Sequence, residues 1–152
     1  MFQYQSFNRT EKRRVVCALL ALSAASTLTS TALAGELTID ISGVIPDGGK
    51  VYVAVYDRAE TFPRSGRQQV GQVLDSADNH LTVRFRELPP GEYAAVAFQD
   101  VNGNGKLDNN FLGIPKEPYG FSNGAHGSAG PPKFSAAAVT LEPDAATSIA
   151  LK

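Results

Sequence analysis

The chain has 152 residues, with 14 basic and 15 acidic side chains, 43% hydrophobic residues and a single cysteine. A length of this order indicates one domain, and the apolar fraction is high enough for a folded core. Because there is no excess of positive charge to meet phosphates, the composition argues against a nucleic-acid-binding protein.

The first 34 residues have the pattern of a secretory signal peptide. A basic cluster at 12–14 precedes an apolar run at 15–22, and small residues then lead to Ala32-Leu33-Ala34. Serines and threonines interrupt the apolar stretch, which is too short and too polar to span a bilayer. We therefore predict cleavage after Ala34, export to the periplasm or the medium by the general secretory route, and no membrane span in the mature protein.

The predicted mature chain, residues 35–152, contains ten basic and fourteen acidic residues, which give a net charge of about −4. It contains no cysteine, because Cys17 leaves with the leader. An exported domain without disulfides must be stabilised by its core, and a chain of about 118 residues can supply one. We predict that residues 35–152 form a single domain.

Alternating apolar and polar residues predict short β-strands through most of the mature chain. The runs lie at 37–41, 51–55, 81–85, 92–100, 139–141 and 149–151, with a weaker candidate at 70–74. The run at 92–100 is apolar on both faces, which favours a central strand. No window has the spacing of a long helix. About seven short strands predict an all-β, antiparallel β-sandwich.

Residues 100–134 lack this alternation of apolar and polar residues. The segment is rich in glycine, proline and asparagine, yet it contains large apolar side chains such as Phe111 and Tyr119. A long segment of this kind in a small domain is typically functional or disordered, and this one is too apolar for disorder. We predict an ordered functional loop excursion from one end of the sandwich.

The start of this excursion has the spacing of a calcium-binding loop. Gly105 stands at loop position six, the Lys106 carbonyl is available at position seven, and Phe111 replaces the usual Glu at position twelve. Oxygen-bearing side chains occupy positions one, three, five and nine, namely Asp100, Asn102, Asn104 and Asp108. This spacing can wrap a hard cation in oxygen ligands, although the flanking sequence is not that of a helical EF-hand.

A remote carboxylate would have to complete such a calcium site. Glu117 is the first candidate and Asp57 the second. With only two formal charges in the loop, the spacing predicts weak calcium binding. The alternative is a metal-free turn, because Asp, Asn and Gly also form loops by capping their own backbone amides.

Other chemistry-bearing residues give weaker patterns, and we predict no catalytic residue and no organic cofactor. His80 and His126 are the only histidines, too few for a zinc site without cysteine. His126 is close in sequence to Ser122, but proximity along the chain is not triad geometry. The segment 120–124 could line a ligand groove, or its aromatic residue could plug the end of the sandwich, which we favour.

Several ordered runs make the chain resemble a known family. They are Gly91–Asp100 continuing into Asn102–Asp108, then Leu112–Asn123, then Gly130–Phe134. The chain resembles the exported bacterial domain of unknown function 2141 over residues 36–151. The Pro90-Gly91-Glu92-Tyr93 start of a strand is also similar to carboxypeptidase-regulatory-like and collagen-adhesin B-type domains of prealbumin shape. The resemblance implies a Greek-key sandwich and implies no particular activity.

Two hypotheses for function follow. The first is an exported, non-enzymatic β-sandwich module, binding or structural, with a calcium-stabilised loop and a small-molecule, glycan or protein ligand. The alternative is an enzyme or an enzyme-accessory domain that acts on glycans or peptides at residues 100–134. Converging side chains of Asp100, Glu117 and His126 in a cleft would favour the enzyme, and a filled, ordered segment would favour the module.

Overall fold

The computed structural model describes residues 34–152, so the predicted leader, apart from Ala34, lies outside the described residues. The strands are β1 (Gly35–Ser42), β2 (Lys50–Tyr56), β3 (Val70–Asp75), β4 (His80–Leu88), β5 (Gly91–Asp100), β6 (Tyr119–Phe121), β7 (Val139–Leu141) and β8 (Ala145–Ala150). One short helix, α1 (Phe134–Ala137), precedes β7. The all-β class is confirmed. In this part of the chain no helix has the length and apolar character needed to cross a membrane.

The strands form two sheets. One has the order β4-β1-β8, and the other has the order β3-β2-β5-β6. On one edge of β5, residues 94–100 pair with β2. On the other edge, residues 91–93 pair with β7 and residues 96–98 pair with β6. The prediction that 92–100 is a central strand is therefore confirmed.

Two details differ from the sequence-based prediction. The pairing of β1 with β8 is parallel rather than antiparallel, with Leu37 opposite Ala145 and Ser42 opposite Ala150. Alternation carries no information on strand direction, and β8 reaches β1 from the other sheet rather than through a hairpin. The described residues also hold eight strands rather than seven, because β6 lies inside the segment that we predicted as one continuous excursion.

The core lies between the two sheets. Ile39 of β1 and Phe85 of β4 face Val53 of β2 and Ala97 of β5, and each of these side chains is at most 2% exposed. The predicted inward faces of β1, β2 and β4 are thus buried as expected. Each fully buried aliphatic or aromatic side chain of this size contributes about 1.5–3 kcal/mol to stability.

Two polar side chains fix the ends of β5. At its start the Tyr93 hydroxyl donates to the backbone oxygen of Pro89 over 2.8 Å, an arrangement known in β-sandwiches as a tyrosine corner. Near its end the fully buried Gln99 accepts from the Ile45 N–H over 2.9 Å and donates to the Ile45 carbonyl over 2.7 Å. The position of Asp100, the last residue of β5, is therefore fixed by the residue before it.

A second cluster of aromatic residues covers part of the outer face of the larger sheet. Phe62 packs edge to face against Tyr56, Phe121 and Phe134, with ring centroids 5.4–5.8 Å apart. Phe121 is 7% exposed, but it packs on the outer face of the sheet and does not plug the end of the sandwich as we favoured, and Gly120, Phe121 and Gly124 line a pocket of about 120 Å³. The cluster holds residues 119–137 against the sheet rather than at its end.

Candidate functional site

The loop that the sequence singled out begins at the last residue of β5. Asp100 is 2% exposed, and its carboxylate accepts three backbone N–H groups. Oδ1 accepts from Gly103 over 2.8 Å and from Asn104 over 3.1 Å, and Oδ2 accepts from Gly105 over 2.7 Å. Through these three hydrogen bonds Asp100 organises the backbone of the first half of the loop.

The side chains at loop positions three, five and nine converge on one atom. The amide nitrogen of Asn102 donates to Asp108 Oδ2 over 2.6 Å, and that of Asn104 donates to the same oxygen over 2.9 Å. The amide oxygens point the other way, toward the N–H groups of Asn104 and Lys106. The spacing therefore does bring Asn102, Asn104 and Asp108 together.

Glu117 joins the two ends of the loop. The residue is 7% exposed, and its Oε1 accepts from the Val101 N–H over 3.0 Å. Its Oε2 accepts from the Asp108 N–H, also over 3.0 Å. The sequence predicted that this carboxylate would lie at the loop, and it does. Its contacts, however, are with the backbone of residues 101 and 108.

Asp57, the second candidate, lies far from the loop. Lys50 at the start of β2 is opposite Asp100, whereas Tyr56 at its end is opposite Ala94. Asp57 follows Tyr56, so the length of the strand, about 20 Å, separates it from the loop. Its carboxylate lies 3.5 Å from the guanidinium of Arg58. Asp57 is therefore not part of the loop site.

Glycine has the expected role at loop position six. The φ angle of Gly105 is 75°, and that of Gly103 is 77°. Residues with a Cβ rarely adopt this left-handed region, so glycine at these positions lets the loop reverse sharply twice. In the described part of the chain no group of three or more His, Cys, Asp or Glu side chains is arranged to hold a metal ion. The oxygens that could bind a cation here are amide and carbonyl oxygens, together with the carboxylates of Asp100, Asp108 and Glu117.

Ser122 and His126, which are close in sequence, make their hydrogen bonds to backbone groups. The Ser122 side chain is fully buried, and its hydroxyl bonds to the backbone of Ala95 and Ala137. His126 is exposed, and its Nδ1 lies 3.1 Å from the Gly124 carbonyl oxygen. The side chain of His80 is on β4, 3.9 Å from Asp40.

The sequence analysis missed a groove on the outer face of the larger sheet. The groove has a volume of about 710 Å³, and the loop residues Gly105, Lys106 and Leu107 line it on one side. Tyr52 and Phe98 contribute a pair of stacked rings, with centroids 5.0 Å apart and planes within 7°. The apolar outward faces of β2 and β5 were the signal that could have indicated it.

The fold and the loop together define an all-β domain of two sheets, with an Asp/Asn/Gly-rich loop at the end of its central strand. The chain belongs to the bacterial family described as "Uncharacterized protein conserved in bacteria (DUF2141)", whose model matches residues 39–149. The matched region runs from β1 to β8 and includes the whole loop. No match was found among curated proteins or among solved structures.

Proposed function

We propose that this protein is an exported, non-enzymatic binding module whose loop at residues 100–108 is stabilised by calcium. The observation that supports the proposal is the convergence of Asn102, Asn104 and Asp108 at one point beside the fixed carboxylate of Asp100. Without a cation, the two amide NH₂ groups satisfy Asp108. With calcium, oxygen atoms would replace them.

The change that calcium requires is small. An amide side chain presents oxygen instead of nitrogen when its terminal torsion turns by about half a revolution. Rotation of Asn102 and Asn104 would give up their bonds to two backbone N–H groups and direct two carbonyl oxygens toward the cation. Asp100, Asp108 and the Lys106 carbonyl would supply further oxygens. Glu117 would complete the shell directly or through water, while it continues to close the loop.

The binding surface of the module would be the groove beside the loop. Gly105, Lys106 and Leu107 form part of its wall together with Tyr52 and Phe98, and a Cβ on Gly105 would lie 3.8 Å from the Tyr52 hydroxyl. A cation that fixes the loop would therefore also fix this wall. A groove of about 710 Å³ with aromatic and polar groups is of the size that small molecules or short segments of a polymer occupy.

The disposition of the polar groups favours a binding module over the alternative enzyme. Asp100 and Glu117 are both buried, and their carboxylates are occupied by backbone N–H groups. His126 lines a separate pocket of about 120 Å³. A hydrolytic reaction would need at least a general base and an activated nucleophile within hydrogen-bonding reach of each other. An enzyme of this kind would require these side chains to be rearranged.

Calcium titration of the wild type and two matched variants tests the proposal. With an affinity of about 10⁻⁴–10⁻³ M, about 1 mM calcium adds roughly 0.4–1.4 kcal/mol and raises the melting temperature by about 2–8 °C. Asp108→Asn removes a ligand charge, keeps the shape of the side chain, and should abolish the rise.

Asp144→Asn is the control. It removes a charge at an exposed residue whose Oδ1 accepts from the Glu36 N–H, a bond that an amide oxygen preserves. This variant should respond to calcium like the wild type, and magnesium should substitute poorly for calcium. Identical melting of the wild type in calcium and in chelator, with no heat in calorimetry at millimolar calcium, would overturn the proposal.

A further inference from the structure

The apex of the loop exposes three large apolar side chains. Phe111 is 94% exposed, Leu112 is 68% exposed and Ile114 is 55% exposed. Phe111 and Leu112 are the most exposed large hydrophobic side chains among residues 34–152. Contiguous apolar side chains on a protein surface typically mark an interaction site. We call residues 111–114 the apolar tip.

The apolar tip is held outward by an ordered turn. The Asn110 N–H donates to the Ile114 carbonyl over 2.8 Å, and the Asn110 side-chain oxygen accepts from the N–H groups of Leu112 and Ile114. One step further along, Asn109 pairs with Pro115 in an antiparallel bridge. The exposure of the tip is therefore a property of a hydrogen-bonded hairpin.

Two lysines flank the base of this hairpin. The Lys116 N–H donates to the Asp108 carbonyl on the opposite arm of the hairpin over 2.8 Å. Lys106 lies two residues before Asp108. Both lysines are exposed, and within residues 34–152 neither ammonium group forms an ion pair. Asp108 and Glu117 are turned toward amide groups of the loop. The hairpin therefore has two exposed cations at its base, of which Lys106 also lines the groove, and an apolar apex.

We propose that the apolar tip inserts into the surface of a lipid bilayer that carries anionic headgroups, with Lys106 and Lys116 contacting the phosphates. The hairpin rises three residues from Asp108 to Phe111, about 10 Å at the spacing of extended chain. Peripheral proteins bury their apolar groups about 5–10 Å into the headgroup region. The tip is also convex, and a bilayer accepts a convex apolar apex without a preformed pocket.

Calcium would strengthen this interaction, an extension that rests on the proposed function. Around the loop the formal charges of Asp100, Asp108 and Glu117 exceed those of Lys106 and Lys116 by one negative charge. One bound Ca²⁺ would reverse the sign of that sum. Because anionic headgroups attract positive charge within a Debye length, binding to anionic vesicles should be tighter with calcium than with chelator.

Vesicle binding by the protein, as the producing cells export it, tests the proposal. The vesicles contain either equal parts of phosphatidylglycerol and phosphatidylcholine or phosphatidylcholine alone. We expect co-sedimentation mainly with the anionic vesicles. The double variant Phe111→Ser/Leu112→Ser should bind about tenfold more weakly or worse, because each lost apolar side chain removes a large transfer energy.

The matched control is Ile45→Ser/Val73→Ser, which removes two exposed apolar side chains away from the tip and should bind like the wild type. The double variant Lys106→Glu/Lys116→Glu should lose the preference for anionic vesicles. Because the chain contains no tryptophan, Phe111→Trp provides a single reporter at the tip. Its emission should shift to shorter wavelength on anionic vesicles and be quenched by brominated lipid.

Three outcomes would overturn the proposal. The first is a wild type that binds neither kind of vesicle in calcium or in chelator, as expected if the tip docks into a protein instead. The second is a Phe111→Ser/Leu112→Ser variant that binds like the wild type. The third is an indole emission of Phe111→Trp that does not change when vesicles are added. Failure of the calcium proposal is distinguishable. In that case melting is indifferent to calcium, while the loss of vesicle binding in Phe111→Ser/Leu112→Ser persists in chelator.

Discussion

Glu117 accepts a hydrogen bond of 3.0 Å from the backbone N–H of Asp108, and the same carboxylate accepts one of 3.0 Å from Val101. A single buried side chain thus closes a loop of nine residues at both ends. Two oxygens are needed for two N–H donors. An isosteric group with one oxygen cannot replace the carboxylate.

Glu117→Gln should therefore destabilise the protein. The amide nitrogen would face one of the two N–H groups, which leaves a buried donor unsatisfied at a cost of about 1–3 kcal/mol. The free energy of unfolding from urea titration measures this cost. Glu92→Gln, at an exposed position of β5, is the matched control and should change stability by less than about 0.5 kcal/mol. Equal stability of the two variants would contradict the closing role of Glu117.

Gly120 should not tolerate alanine. A Cβ at this position would lie 2.4 Å from the Ala150 carbonyl oxygen and 2.8 Å from Ile149 Cγ2, where β6 passes the C-terminal strand. Relief of this overlap requires movement of the backbone, at a cost of about 1–3 kcal/mol or more. Gly91→Ala, whose Cβ would find its nearest neighbour at 3.8 Å, is the control. Comparable melting temperatures for both variants would show that β6 is not packed as described.

Gly120 also illustrates why the sequence predicted some elements and not others. Strands β1, β2, β4 and β5 have at least two periods of alternation, and all four were predicted. Strand β6 has only three residues, with glycine in the middle, so it is too short to show an alternation of apolar and polar side chains. The strand pairs with β5, and its Phe121 packs on Phe62, both contacts between segments that are distant in sequence.

In the loop, too, the features that depend on neighbouring residues were predicted from the sequence, and those that depend on distant residues were not. The spacing singled out Asn102, Asn104 and Asp108, whose side chains meet at one oxygen of Asp108, because the geometry of a nine-residue loop is local. Ion binding by these residues stays a prediction. The contacts of Glu117 depend on where residues 101 and 108 lie after folding. The groove depends on the register that brings Tyr52 opposite Phe98, which no local pattern contains.

Ser122→Ala should destabilise the protein, because the Ser122 hydroxyl has a structural role. The buried hydroxyl accepts from the Ala95 N–H over 2.9 Å and donates to the Ala137 carbonyl, so its loss leaves two buried backbone groups unpaired. We expect a loss of about 2–6 kcal/mol in urea unfolding, from a cost of about 1–3 kcal/mol for each group. Ser135→Ala, at an exposed position in α1, should be close to neutral. Labelling of Ser122 by a fluorophosphonate probe in the folded protein would instead support the enzyme hypothesis.

Stability should fall at alkaline pH. Burial raises the pKa of Tyr56 above its usual value, and burial, together with the nearby negative charge of Asp57, raises the pKa of Tyr93. A raised pKa means that the folded state favours the neutral phenol. The associated stability is therefore complete below the unfolded value of about 10 and is lost as pH rises through the folded pKa.

Substitution isolates the contribution of Tyr93 to this alkaline loss of stability. Tyr93→Phe should lose about 1 kcal/mol near neutral pH, because the hydrogen bond to Pro89 is absent, and should decline less steeply above about pH 10. Urea unfolding at a series of pH values measures both effects. An unchanged slope in Tyr93→Phe would assign the alkaline loss to other groups.

The exported protein should begin at Gly35. The basic cluster at 12–14, the apolar run at 15–22 and Ala32-Leu33-Ala34 form the three parts that a signal peptidase requires. Intact mass of the protein from the periplasmic fraction or the medium measures the cleavage site directly. Cleavage also removes Cys17, so the melting temperature of the product should be the same with and without dithiothreitol. A mass that retains residues 1–34, a lipid on Cys17, or a melting shift on reduction would each contradict the leader prediction. A lipid on Cys17 would in addition place the protein at a membrane by a route that does not involve the apolar tip.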